Sequence, residues 1–90
     1  MLAWPAPADV VLLSCECEST NDIAVGTDPT LDVNNLIPGA NVIYDQLIAF
    51  FSSSSAAGTK RAFSYPVLLG ESVYVSSDGN GVVTLTYDLS

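Results

Sequence analysis

Histidine is missing altogether from this 90-residue chain. Its absence removes Ser-His and Cys-His nucleophilic pairs, the usual general base and every His-containing zinc site. Positive charge is nearly as scarce, since Lys60 and Arg61 stand against ten acidic residues for a net charge of −8. Affinity for nucleic acid comes mainly from Lys and Arg neutralising phosphates, so no nucleic-acid partner is expected, and the same sign disfavours anionic membrane surfaces. The longest apolar run, Leu47-Ile48-Ala49-Phe50-Phe51, falls far short of the ~18 residues that a membrane helix needs. A secretory leader is not expected either: Met1-Leu2-Ala3-Trp4 carries no basic region, and Pro5, Pro7 and Asp9 interrupt any apolar stretch. The expectation is synthesis and folding in a cytoplasm.

Charge of either sign is in short supply. Charged residues make up 13% of the chain and AVILMFWYC residues 49%, where soluble domains average about 25% charged. Ninety residues enclose a single core and bury roughly 60–65% of the surface that the unfolded chain exposes. So small a domain has proportionally more surface to wet, yet this one has few ionised side chains with which to do it. Depletion of charge with aromatic enrichment marks the core of an interface, and uncovered apolar area on a monomer is an aggregation hazard. Two readings follow: part of the surface is covered by other subunits, or a neutral Ser/Thr/Asn coat supplies the polarity.

Along the chain, Met1 to Ala8 reads as an extended N-terminal arm, because Pro5 and Pro7 fix their own φ and push their predecessors towards extended conformations. Residues 9–90 then form one domain. Asp9 to Ser19 alternates as a strand, with Val11, Leu13, Cys15 and Cys17 on one face and Leu12, Ser14, Glu16 and Glu18 on the other. Ile23-Ala24-Val25 is a short strand between turn clusters, Leu31 to Ile37 is ambiguous, and Pro38-Gly39 is a type II turn. Asn41 to Phe51 fits a helical stripe or a strand; β-branched and aromatic content, with four serines after it, favours the strand. Arg61 to Leu69 is a strand whose Pro66 demands an edge, a bulge or a break.

Ser72 to Ser76 and Val82 to Leu89 alternate around Ser77-Asp78-Gly79-Asn80-Gly81 and read as a β-hairpin, with Val73, Val75, Val83, Leu85, Tyr87 and Leu89 inward. Roughly six to eight short strands with regularly spaced turn signals give an all-β fold, a small antiparallel sandwich or jelly-roll-like domain.

Candidate chemistry is sparse. Cys15-Glu16-Cys17 projects two thiols from one strand face, but two sulfurs do not complete a tetrahedral zinc site, and neighbours in one strand are badly placed for a disulfide. Buried free cysteines acting as small hydrophobes are expected. Asp78-Gly79-Asn80-Gly81 has the look of a calcium loop without the further acidic ligands, and Asp, Asn and Gly are also what tight turns select. Asp9, Glu16, Glu18 and Asp22 lack a spacing for paired-carboxylate catalysis and read as a solvated acidic face. Neither an enzyme, a bound metal nor a cofactor is expected. Lys60-Arg61 reads either as a solvated loop end or as a docking pair for acidic residues of a neighbour.

The stretch Arg61-Ala62-Phe63-Ser64-Tyr65-Pro66-Val67-Leu68-Leu69-Gly70-Glu71-Ser72-Val73-Tyr74-Val75, followed by Gly81-Val82-Val83-Thr84-Leu85-Thr86-Tyr87, resembles the closing strands of small virion proteins of tailed bacteriophages. In such decoration, cement and fibre-associated proteins a Pro-apolar-apolar-Gly-polar-x-Val-Tyr-Val run leads to a final hydrophobic strand. The likeness covers about a third of the chain and is a style of strand. It implies a structural subunit of the virion, a homo-oligomer with a trimer among the candidates, seated on a major capsid or other virion protein. Trp4, Leu2, Lys60, Arg61 and Tyr74 are the residues expected at that partner interface. The alternative is a carbohydrate-binding or host-attachment module of a tail or fibre, with Tyr44, Tyr65 or Tyr74 as sugar-stacking platforms.

Overall fold

The computed structural model describes residues 1–36 and 46–90. Among them are seven strands and one 3-10 turn: β1 Leu2–Pro5, β2 Val10–Cys17, β3 Ile23–Gly26, the 3-10 turn Val33–Asn35, β4 Leu47–Phe51, β5 Lys60–Val67, β6 Ser72–Ser77 and β7 Val83–Leu89. All pairings are antiparallel, in a four-stranded sheet of order β1-β6-β3-β4 and a three-stranded sheet of order β5-β2-β7. The fold is a small all-β sandwich. The Pro38-Gly39 turn, Tyr44 and the first half of the 41–51 segment lie outside the described residues; its second half is the strand β4.

The core forms between the sheets. Val10, Leu12, Cys15 and Cys17 of β2 pack there against Ile23, Val25, Phe51, Val67 and Val73, each almost fully buried. Strict alternation along β2 does not hold, because the ladders to both β5 and β7 shift register between Leu12 and Ser14. The bulge at Leu13 turns the strand over by one residue, so Val10 and Leu12 before it face the core together with Cys15 and Cys17 after it. Leu12 therefore belongs to the core and not to the wet face that a uniform period of two assigns it.

The outer face of the four-stranded sheet is also covered. Segment 27–36 folds back over it, placing Leu31 and Val33 on Ala24 with Leu47, Phe50 and Tyr74 around them. Asp32 caps the 3-10 turn by accepting from the Asn34 N–H at 3.0 Å, and the Val33 N–H donates to the buried Ser76 Oγ at 3.0 Å. The ambiguous Leu31–Ile37 stretch is thus, as far as Leu36, a lid and not a strand. Apolarity on both faces of β3, whose four residues are all buried, follows from this double cover. Gly26 ends the strand because a side chain there would collide with backbone: a Cβ would lie 2.7 Å from the Gln46 carbonyl oxygen.

Two sequence expectations change. β6 and β7 are not a hairpin: β6 lies between β1 and β3, and β7 pairs with β2 in the other sheet. The alternation that marked both as half-buried is real, but Val83 and Leu85 oppose Val73 and Val75 across the core, whereas Tyr87 and Leu89, expected inward, are exposed because they lie on the edge strand beyond it. The loop between them is tied to the β2–β3 turn, with the Asp22 N–H donating to Asp78 Oδ1 at 3.1 Å and the Asp78 N–H to the Asp22 carbonyl at 3.2 Å. Ser77 Oγ accepts from Gly79 and Gly81 N–H at 3.2 and 3.1 Å. The carboxylate that resembled a calcium ligand therefore holds the crossover. The N-terminal segment is extended as expected, but it is an edge strand of the fold, with Leu2 opposite Val75 and Trp4 opposite Val73. Pro66 does fall on an edge strand, β5.

Candidate interaction surface

Sheet order sets the geometry. β4 and β5 close one side of the sandwich, where the Arg61 guanidinium carbon lies 5.2 Å from the centre of the Phe51 ring. β1 and β7 form the other side, where the Trp4 and Tyr87 rings meet at 5.0 Å with planes tilted by 49°. On that side the three-stranded sheet ends one strand earlier than the four-stranded one. What is left is an apolar cleft of about 310 Å³ between Leu2, Trp4 and Val75 and the facing Val83, Leu85 and Tyr87. A second hollow of about 340 Å³ continues it past Met1 and Leu2 to Gly81 and Val82.

Seven large apolar side chains are exposed among the described residues, and five of them, Met1, Leu2, Val82, Tyr87 and Leu89, stand along this side. Leu89 is the most open at 73%. The other two, Leu68 and Leu69, sit in the β5–β6 turn at the end of the sandwich where β2 begins. Glu71 Oε1 accepts from the Leu68 N–H and Asp9 Oδ1 from the Leu69 N–H, both at 2.8 Å. Gly70, at φ +90, completes the turn in a conformation that side chains oppose. Two carboxylates thus hold an exposed Leu-Leu pair in one place.

The two edges of the three-stranded sheet differ in protection. Natural edge strands are guarded against pairing by Lys, Pro, bulges or shortness, and β5 has Lys60, Arg61 and Pro66. β7 runs for seven residues with no proline or cation, and Asp88 is its one charge. Among the described residues it pairs only with β2. The Glu18 N–H bonds the Val82 carbonyl at 2.8 Å and the Ser90 N–H the Asp9 carbonyl at 3.0 Å, so the even-numbered residues turn their backbone groups to β2. In an antiparallel ladder the alternate residues then turn theirs away; Val83, Leu85, Tyr87 and Leu89 offer N–H and C=O to whatever lies beyond the edge. Around β7 the outward face is acidic: Thr84 Oγ1 donates to Glu18 Oε1 at 2.8 Å, Glu16 is opposite Thr84, and Asp88 follows four residues on.

The five residues expected at one interface are not brought together. Leu2 and Trp4 line the cleft. Lys60 and Arg61 lie on the opposite edge, Lys60 facing Glu16 and Arg61 facing Cys15 in the ladder. Tyr74 packs against the lid on the outer face. Tyr65 is half-buried against the core with its hydroxyl 3.3 Å from Thr27 Oγ1, and Tyr74 is half-buried as well. Sequence reasoning missed the open edge itself. Its signal was the lack of any cation or proline from 82 to 90, beside two cations and a proline in β5.

The cysteines are free and fully buried. Burial pushes the Cys15 thiol from its ordinary 9.0 up to about 11, against a smaller downward pull from Arg61 and with a further upward push from Cys17. Cys17 Sγ lies 3.5 Å from the Ala56 carbonyl oxygen, to which it donates. Among the described residues, no three acidic or thiol side chains converge as a metal site requires. No protein-family model matches the chain, and no curated protein or solved structure matches it either.

Proposed function

We propose that this chain is a non-enzymatic structural subunit of a virion, a decoration or cement protein that sits on a viral shell and stabilises it by protein–protein contacts. The observation that carries the reading is the β1/β7 side: an uncapped apolar cleft, five exposed large hydrophobics and an unguarded strand edge, all contiguous on a chain of net charge −8. Exposed apolar area of that kind marks a protein interaction surface, and a rigid β-sandwich presents it without a loop to reorganise. The likeness of residues 61–75 and 81–87 to closing strands of tailed-phage virion proteins supports a shell as the place where the surface is covered.

The test is co-sedimentation of the purified protein with candidate empty shells, together with the thermal stability of the decorated shell. Binding should saturate and raise the temperature at which the shell opens. The Leu2→Glu/Leu89→Glu variant replaces two side chains that are already exposed, so it should fold normally and bind at least about tenfold more weakly, as loss of interface anchors does. Undiminished binding by that variant would refute the assignment of this side as the contact.

A further inference from the structure

We infer that β7 is an acceptor edge for an extended segment of a partner protein, apolar at alternate positions and carrying Lys or Arg at positions between them. The inference rests on the reading of the β1/β7 side as protein-facing and specifies what it takes. Three independent features of the fold carry it. The three-stranded sheet is one strand short of its partner, and the resulting cleft exposes the inner faces of β1 and β7. One added strand beside β7 would set its alternate side chains over Leu2, Trp4 and Tyr87. Second, Val83, Leu85, Tyr87 and Leu89 already direct their backbone groups outward, so the new strand would find a ladder waiting; main-chain bonds supply affinity and alternate side chains supply selection in such additions.

Third, charge selects the occupant. On the outward face a new strand would run beside Thr84 and Asp88, with Glu16 and Glu18 one strand further in. Cross-strand pairs of opposite sign stabilise a sheet, and like charges destabilise it. Lys60 stands opposite Glu16 across the β2–β5 ladder and offsets that carboxylate, whereas Asp88 lies opposite the uncharged Val11. A second copy is a poor occupant for the same reason. Two β7 strands paired antiparallel about Thr86 would set Asp88 of one beside Thr84 of the other, where Glu18 already sits, between bodies each of net charge −8.

The experiment uses the whole protein and three synthetic nonapeptides: one alternating valine with lysine and threonine, one with glutamate for each lysine, and the lysine peptide with alternate backbone amides methylated. Trp4, the sole tryptophan and part of the cleft wall, reports occupancy. The lysine peptide should shift Trp4 emission to shorter wavelength and bind at least about tenfold tighter than the glutamate peptide at low salt, the gap closing as salt screens it. Methylation should cost at least about tenfold, since it removes ladder donors. Asp88→Lys should narrow the preference. Equal affinity for the two charge forms, tolerance of methylation, or binding without a change at Trp4 would each overturn the inference. So would a stable dimer of the protein alone, seen by sedimentation at micromolar concentration, that Asp88→Lys leaves intact and the peptides do not displace. Shell binding that persists while all peptides fail sinks the acceptor edge and spares the structural reading; peptide capture without shell binding supports the acceptor edge and sinks the other.

Discussion

Trp4→Ala tests whether the N-terminal strand is part of the fold or a free arm. Truncating a fully buried aromatic costs about 3–5 kcal/mol. Trp4 is only half-buried, on an edge strand, so about 2 kcal/mol is expected, and contact with Tyr87 at 5.0 Å should account for about 0.5–1.5 kcal/mol of it. For a domain of this size that loss lowers the melting temperature by about 10 °C. The chain should still fold, because natural domains have about 0.05–0.15 kcal/mol of stability per residue. Urea unfolding followed by far-UV circular dichroism gives the free energy without relying on the deleted chromophore. A double-mutant cycle with Tyr87→Ala then isolates the ring contact, since the coupling should equal that 0.5–1.5 kcal/mol share (about) and vanish for a distant pair such as Trp4 and Phe50. If Trp4→Ala is as stable as the parent and couples to nothing, residues 2–5 are not held on β6, and the cleft they help to wall does not exist.

Cys15 and Cys17 should react with a thiol reagent only after denaturation, and rapid labelling of the native protein would contradict their burial. Because the native Cys15 thiol keeps its proton to about pH 11 while the unfolded one loses it near 9.0, the native state binds more protons across that window. Stability complete below pH 9 should therefore fall by on the order of 2 kcal/mol as pH rises to 11, read as a falling urea midpoint; a fall of the same size in Cys15→Val would assign it to other groups. Gly26→Ala should cost about 1–3 kcal/mol, as its Cβ would press on the Gln46 carbonyl, and an unchanged melting temperature would show that the approach of β4 to β3 is looser than described. Among the described residues Ser19 Oγ is buried without a hydrogen-bond partner, so Ser19→Ala should be neutral or stabilise by up to about 1 kcal/mol; a clear loss of stability would reveal a partner.

How much of this was legible follows from what local pattern encodes. The period of two along β2, β6 and β7 announces strands, and Pro66 announces an edge, because both are properties of the strand itself. The bulge at Leu13 is not announced: no glycine or proline marks it, and only the ladders on both sides of β2 reveal that Leu12 turns inward. Pairing is harder still. A five-residue loop of turn formers between two alternating runs is the signal of a hairpin, yet the same signal serves a crossover when tertiary bonds such as those between Asp22 and Asp78 pull the loop across to the other sheet. That Leu2 and Trp4 lie apart from Lys60, Arg61 and Tyr74 was hidden for the same reason: residue type can be read locally, whereas which edge lies beside which depends on strand order. The scarcity of charge was visible at once, but its location was not.

That location gives the scarcity its meaning. A uniform thin scatter of charge would agree with a neutral Ser/Thr coat. The distribution is uneven instead: both cations and Pro66 belong to β5, while β1 has Pro5 but no charge and β7 has one charge and no proline. Protection has been concentrated on one edge of a sheet and withheld from the other edge of the same sheet, although an unguarded seven-residue edge is a hazard to any protein that leaves it open. Net charge of −8 lowers that hazard selectively, since it opposes contact between identical chains and favours a partner of opposite sign. Salt therefore acts in opposite senses on the two outcomes: screening weakens capture of a basic segment and removes the barrier to self-pairing. If β7 is the acceptor edge proposed above, charge would select its partner against its own copies, and the apolar cleft behind it would supply the affinity that charge alone does not.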